Sequence, residues 1–225
     1  MRVSFEQDEF QRCGFKGNPE EQDGYPRVDF LFTQLAPTWF SGGRRGLASA
    51  LAFLESVSGK LTFDSKITPL TASIIRDLLP QGEVFIDSNC IDFRPTDIQQ
   101  GGSTLHVGSL PNLAAAEKFV TSSCSEMGGI RQTALALVPN DGIRGYWSSP
   151  QFRIVPSNLW LIESQSSSKD SLNSILALAL MYSEDLSARK IKVYSDLDVD
   201  GEHIQLVKQA FFTVGINLEV YNANA

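Results

Sequence analysis

The chain reads as an α/β protein with a mixed sheet, an N-terminal α+β portion and a C-terminal βαβαβ unit. Three observations predict this. After residue 158, strand-type runs alternate with helical ones, which implies parallel strands joined by crossovers. Between residues 133 and 155, short runs rich in Val, Leu, Phe and Trp follow one another around Pro139-Asn140-Asp141-Gly142, a hairpin-type turn that implies antiparallel pairing. The composition, 42% hydrophobic and 20% charged over 225 residues, is that of a globular protein long enough to bury a core without staples.

The elements follow in order. Val3 to Phe5 and Val28 to Leu31 read as strands on either side of a loop over 14–26, rich in Gly, Asn, Pro, Glu and Asp. Arg44 to Val57 carries Leu47, Ala50, Leu51 and Leu54 at helical spacing, and Thr68-Pro69 opens a second helix to about Leu79, with Thr68 as N-cap and Pro69 at the first helical position. Glu83 to Asp87 and Thr104 to Val107 read as strands, and Pro111 to Met127 as a helix stopped by Gly128-Gly129. Thr133 to Val138, Ile143 to Trp147, Phe152 to Val155 and Leu159 to Glu163 are further strands. A helix from Ser171 to Leu186 is amphipathic through Leu172, Ile175, Leu176, Ala179 and Leu180; strand Ile191 to Tyr194, helix Gly201 to Val214 and strand Asn217 to Tyr221 complete the chain. On this reading residues 1–130 form the α+β portion and 131–225 the βαβ-rich portion, as two units or as one continuous domain.

Bulk chemistry narrows the function. With a formal charge of −7 and a pI near 4.9, and with no basic block, the chain lacks the Lys/Arg density from which nucleic-acid binding draws most of its affinity. A nucleic-acid role therefore rests on a local patch, a metal or a partner protein's charge. Cys13, Cys90 and Cys124 have no metal-type spacing, and their odd number argues against a disulfide framework. The first residues lack a signal-peptide pattern, and no run reaches the roughly 18 apolar residues of a membrane span. The expectation is a cytoplasmic protein, off the membrane, working with a protein partner or as a homo-oligomer.

The chemistry concentrates at two strand ends. Asp196, Asp198 and Asp200 alternate into the turn at Gly201, and carboxylates at that density need solvent, cations or donors to neutralise them. Glu163 ends the apolar run Leu159-Trp160-Leu161-Ile162 as Asp196 follows Ile191 to Tyr194. If those two strands are parallel neighbours, Glu163, Asp196 and Asp198 meet at the carboxyl edge of the sheet, where open α/β sheets hold their ligands, and make a cradle for Mg²⁺. Acids leaving a strand also face water or cap a helix, and Asp200 stands where an N-cap belongs. A second candidate is Ser41-Gly42-Gly43-Arg44-Arg45: free N–H groups at a helix start beside two guanidinium groups are suited to phosphate, and the bland reading is a glycine turn with solvated arginines.

Ser-Asp-Leu-Asp-Val-Asp-Gly-Glu-His-Ile, residues 195–204, resembles the Asp-x-Asp-x-Asp-Gly-x-His-Ile signature of the Toprim domain of type II topoisomerases, and Leu161-Ile162-Glu163 resembles the strand that ends in that family's glutamate. The resemblance implies that Glu163 is the general acid/base and that Asp196, Asp198 and Asp200 bind the metal. A competing resemblance is to PD-(D/E)XK nucleases, whose element order matches a helix over 111–127, the turn at Asp141, an antiparallel pair and Glu163-Ser164-Gln165; it implies Asp141 and Glu163 as metal ligands with Gln165 in the lysine position. The acidic string also fits the start of an EF-hand loop, but its twelfth position is Val207 rather than a bidentate Glu. The expected activity is Mg²⁺-dependent phosphoryl transfer on nucleic acid. The alternatives are a non-catalytic assembly or adaptor subunit, and a small-molecule enzyme using the acidic edge.

Overall fold

The structure is a computed structural model and describes residues 1–79, 84–94, 102–124, 126–127, 130–140 and 145–222. The chain runs β1 (Arg2–Gln7), β2 (Cys13–Asn18), β3 (Phe30–Thr33), α1 (Gly42–Ala52), β4 (Lys60–Phe63), α2 (Pro69–Leu78), β5 (Phe85–Ile86), β6 (Ser103–Ser109), α3 (Leu113–Ser123), β7 (Glu126–Met127), β8 (Ile130–Pro139), β9 (Trp147–Ser148), β10 (Phe152–Ser157), α4 (Leu159–Glu163), α5 (Ser168–Ser183), β11 (Ala188–Ser195), α6 (Gly201–Thr213) and β12 (Asn217–Asn222). The mixed α/β class is as the sequence predicts. One sheet runs β12-β11-β6-β8-β10-β3-β2-β1-β4-β5, with β7 and β9 as short additions to β8 and β10.

The strands β10, β8, β6, β11 and β12 run parallel to one another. In chain order their arrangement is third, second, first, fourth, fifth, the doubly wound order whose chain leaves the central strand in both directions. Strand periodicity assigns the two faces. Leu105, Val107, Leu135, Leu137, Ile191 and Val193 face the layer of α5 and α6, whereas Ala134, Ala136, Val138 and Ile154 face Ala116 and Val120 of α3. The connection leaving β6 thus crosses one face through α3, and the one arriving at β11 crosses the other through α5. β6 and α3, which the sequence reading groups with the N-terminal portion, stand in the middle of this parallel part.

β1, β2 and β3 form an antiparallel meander, and β1 also pairs in parallel with β4. β3 meets β10 at Thr33 and Ser157, so both parts share one sheet and one core. α5 occupies the centre of that core: every residue from Ser171 to Ser183 is buried. A helix buried on all sides has no polar stripe, and Ala177, Leu178 and Met181 complete a surface that the amphipathic reading leaves to solvent. Burying each such large apolar side chain contributes about 1.5–3 kcal/mol.

Three sequence expectations change. The loop over 14–26 contains β2. Leu159–Glu163 is a helical turn, with Leu159 and Ile162 buried at a spacing of three while Trp160 stays partly exposed; a short apolar run has no length by which periodicity could tell strand from helix. Asn158 ends the preceding strand by accepting from Phe32 N–H at 2.9 Å and donating to Phe30 C=O at 2.7 Å. Finally, β8 does not turn back as a hairpin but has β10 beside it in parallel. Asp141 and Gly142 lie outside the described residues.

Candidate active-site crevice

The four central parallel strands end in Ser109, Pro139, Ser157 and Ser195, and all four residues line one cavity of about 1330 Å³. Its position follows from topology: where connections depart to opposite faces of an open parallel sheet, no loop covers the gap between the central strands, and a crevice is left at their carboxyl ends. From that edge the cavity continues as a groove between α3 and the strip of sheet formed by β6 and β11. Gly108 opens it there, because a β-carbon at this position would stand 3.3 Å from the Phe119 ring.

Glu163 and Asp196 both line this cavity, so the structure brings together two of the predicted site residues although their elements are not strand neighbours. The strands flanking β11 are β6 and β12. Glu163 reaches the crevice from the end of α4 and lies beside Ser109. Confinement by the cavity walls pushes its carboxyl above the ordinary glutamate range, with the Ser109 side chain holding it down in part. Its surface remains reachable by solvent, as a proton-exchanging group requires.

The other predicted site residues are placed elsewhere. Asp198 is on the β11–α6 connection and Asp200 is the N-cap of α6, accepting from His203 N–H at 2.7 Å and pairing with Lys169 at 2.6 Å. That lysine and the His203 amide hold the Asp200 carboxyl below its usual range. His203, on the same motif, is turned inward, with Nε2 3.0 Å from Asn173 Oδ1 on α5. Among the described residues no group of three or more His, Cys, Asp and Glu side chains could hold a metal ion. Of the predicted Mg²⁺ cradle of Glu163, Asp196 and Asp198, only Glu163 and Asp196 line the cavity. Two carboxylates suit Mg²⁺ only where ligand phosphates and water complete its octahedron. Gln165 is exposed just past α4, and Asp141 lies outside the described residues.

The Ser41–Arg45 segment does open α1, but its anion partner is internal. The Ser41 N–H donates to Glu184, and the Thr38 and Trp39 N–H groups donate to Asp185. Arg44 is buried, donating to Ser183 Oγ at 3.0 Å, and Arg45 faces Asp64 at 4.0 Å. Gly42 and Gly43 begin the helix beneath them. Glu184 thus already accepts from the N-cap amide of this helix start.

The cavity also holds side chains that the sequence reading leaves out. His106 Nδ1 is 2.9 Å from the Tyr194 hydroxyl and its Nε2 is 2.8 Å from Gln132 Oε1. All three line the groove. The signal that could have found them is strand alternation: His106, Lys192, Tyr194, Glu219 and Tyr221 fall on the face opposite Val107, Val193 and Leu218. The chain was compared with family models, curated proteins and solved structures. Nothing in the three comparisons matches it. Among the described residues no helix is long and apolar enough to cross a membrane.

Proposed function

We propose that the chain is a ligand-binding α/β protein of enzymatic type, which receives a small organic molecule in the crevice at the carboxyl ends of β6, β8, β10 and β11 and exchanges a proton with it through Glu163. One observation carries this reading: Glu163 shares with Asp196 a cavity that four strand ends line at the switch point of the sheet. A carboxyl with a raised affinity for its proton holds that proton more readily than an ordinary glutamate, as general acid/base work requires. Asp196, across the same cavity, would orient hydroxyl or amino groups of the ligand.

The same pair favours a second reading, Mg²⁺-assisted phosphoryl transfer on nucleic acid or a smaller phosphate, with Glu163 and Asp196 sharing the cation with the substrate's phosphates. One experiment separates the two. Thermal unfolding is followed across a library of metabolites, nucleotides and short oligonucleotides, with and without Mg²⁺, for the wild type, Glu163→Gln and Asp196→Asn. The first reading expects compounds that raise the melting temperature without metal and lose that effect in Glu163→Gln. Stabilisation that requires Mg²⁺ together with both carboxylates selects the second. Compounds that stabilise all three proteins equally overturn both.

A further inference from the structure

The hydrogen-bonded chain on the groove floor has a defined direction. The Gln132 Oε1 atom only accepts, so His106 Nε2 carries the imidazole proton and Nδ1 is free to accept from the Tyr194 hydroxyl. This is the arrangement of a reactive hydroxyl, a base within hydrogen-bond reach and a third group that orients the base. His106 lies three residues before Ser109 on β6, about 10 Å along the strand at roughly 3.3 Å per residue. One small ligand could therefore span the imidazole and the Glu163 end of the crevice.

The ring centroids of His106 and Tyr194 lie 5.8 Å apart with 5° between their planes, and those of Tyr194 and Tyr221 5.5 Å apart with 16°. Near-parallel planes joined by a 2.9 Å hydrogen bond set His106 beside the hydroxyl edge of Tyr194 rather than over its face, while Tyr221 stacks on that ring and Phe119 meets it edge-on at 6.1 Å.

We infer that Tyr194 and His106, with Gln132 as positioning residue, form a second proton-handling centre in this cavity, a base that takes the proton of a hydroxyl or phenol group on a small organic ligand. The inference deepens the crevice reading and rests on it. In the step, the ligand O–H bond breaks as its proton passes to Tyr194 Oη, and the Tyr194 proton passes to His106 Nδ1. The electron pair stays on the ligand oxygen, which becomes an oxyanion, and the imidazole becomes an imidazolium that still donates Nε2–H to Gln132. No oxidant or further reactant is consumed. Lys192, paired in register with His106, is held by Glu219 at 3.9 Å and over the Tyr221 ring. The charged and titratable groups around the imidazole are Lys190, Lys192 and Tyr194 on β11 and Glu219 and Tyr221 on β12, while α3 contributes only Phe119, Ser122 and Ser123 to the cavity wall. Burial, with a further push from Lys192, holds the imidazole below its ordinary range, so the accepting form is the resting one.

The test uses the full chain and 4-nitrophenol, whose phenol and phenolate absorb at different wavelengths, at a pH below the probe's own pKa. The wild type should raise the phenolate band above that of the protein-free solution. Tyr194→Phe and His106→Asn should return it to the protein-free ratio while leaving the circular dichroism spectrum unchanged. A probe that stays phenolic on the wild type, that does not bind, or that is ionised equally by both variants overturns the inference. Should either variant fail to fold, nitrogen-15 spectra of the wild-type imidazole still decide: a proton on Nε2 with Nδ1 bare is expected, and the opposite tautomer overturns it. The crevice reading is tested through Glu163→Gln and this one through Tyr194 and His106, so the two fail separately.

Discussion

Glu163 and Asp200 are both carboxylates placed just beyond or before regular structure, yet their surroundings move their proton affinities in opposite directions. Asp200 meets an ammonium and an amide N–H, and is held ionised. Glu163 lines the cavity while keeping solvent-exposed surface, and partial burial there shifts its carboxyl towards the protonated form, against the Ser109 hydrogen bond. The linkage follows. A carboxyl whose folded pKa lies above its unfolded value contributes stability that is full below the unfolded pKa and is lost as pH rises through the folded one. Glu163→Gln should therefore flatten part of the decline in melting temperature from the ordinary glutamate range upward, leaving the variant slightly ahead of the wild type near neutral pH, by an amount that solvent screening at this exposed site keeps small. Thermal unfolding of both proteins from pH 4 to 8 measures it; a difference that grows towards low pH would contradict the assignment. Arg44 makes a related point at the other candidate site, since a guanidinium bonded to Ser183 inside the core is unavailable to a ligand.

At the scale of elements, the junction between β10 and α4 decides where Glu163 goes. Asn158 is 4% exposed and bonds the β3 backbone through both ends of its amide, so the strand stops there and the next five residues wind into a turn that delivers Glu163 to the crevice. Removing the amide strands a buried N–H and a half-buried C=O on β3. Asn158→Ala should cost about 2–4 kcal/mol, from roughly 1–3 kcal/mol for the buried N–H and about 1 kcal/mol for the half-buried C=O, and should also loosen the placement of Glu163. Urea unfolding gives the first quantity; a midpoint within error of the wild type would show that β3 does not depend on this residue.

At the scale of the whole molecule, one core cluster on the α5 face of the sheet runs from Met1 and Val3 through Leu47 and Leu51 to Leu218, and α5 is packed between α1 and the parallel strands. Tyr182 joins the two parts directly. Its hydroxyl donates to Leu35 C=O and lies 2.7 Å from the Thr33 hydroxyl, tying α5 to the end of β3. Because both parts bury their surface against the same helix, they should unfold together in one transition. Tyr182→Phe should lower that transition by about 1–3 kcal/mol without splitting it. Calorimetry and hydrogen exchange are the measurements; two transitions, or early exchange confined to residues 1–79, would refute a shared core.

The sequence by itself determined the local elements with strong periodicity or explicit caps. Thr68 and Pro69 mark the start of α2, where Thr68 Oγ1 accepts from Thr71 N–H, and Asp200 caps α6 as its place before Gly201 suggested. It also identified Glu163 and Asp196 as acids of interest, since carboxylates after apolar runs stand out in any reading. What only the tertiary structure decided was which groups meet. Leu159–Glu163 is too short for its period to be read, so its helical turn came from Asn158 and the packing of Leu159 and Ile162. The strand order, set by β6 pairing with residues more than 80 positions away on β11, put Ser109 beside Glu163 and placed His106 next to Tyr194. Pairings of that range leave no trace in local spacing, because each strand carries only its own alternation and nothing that names its neighbour.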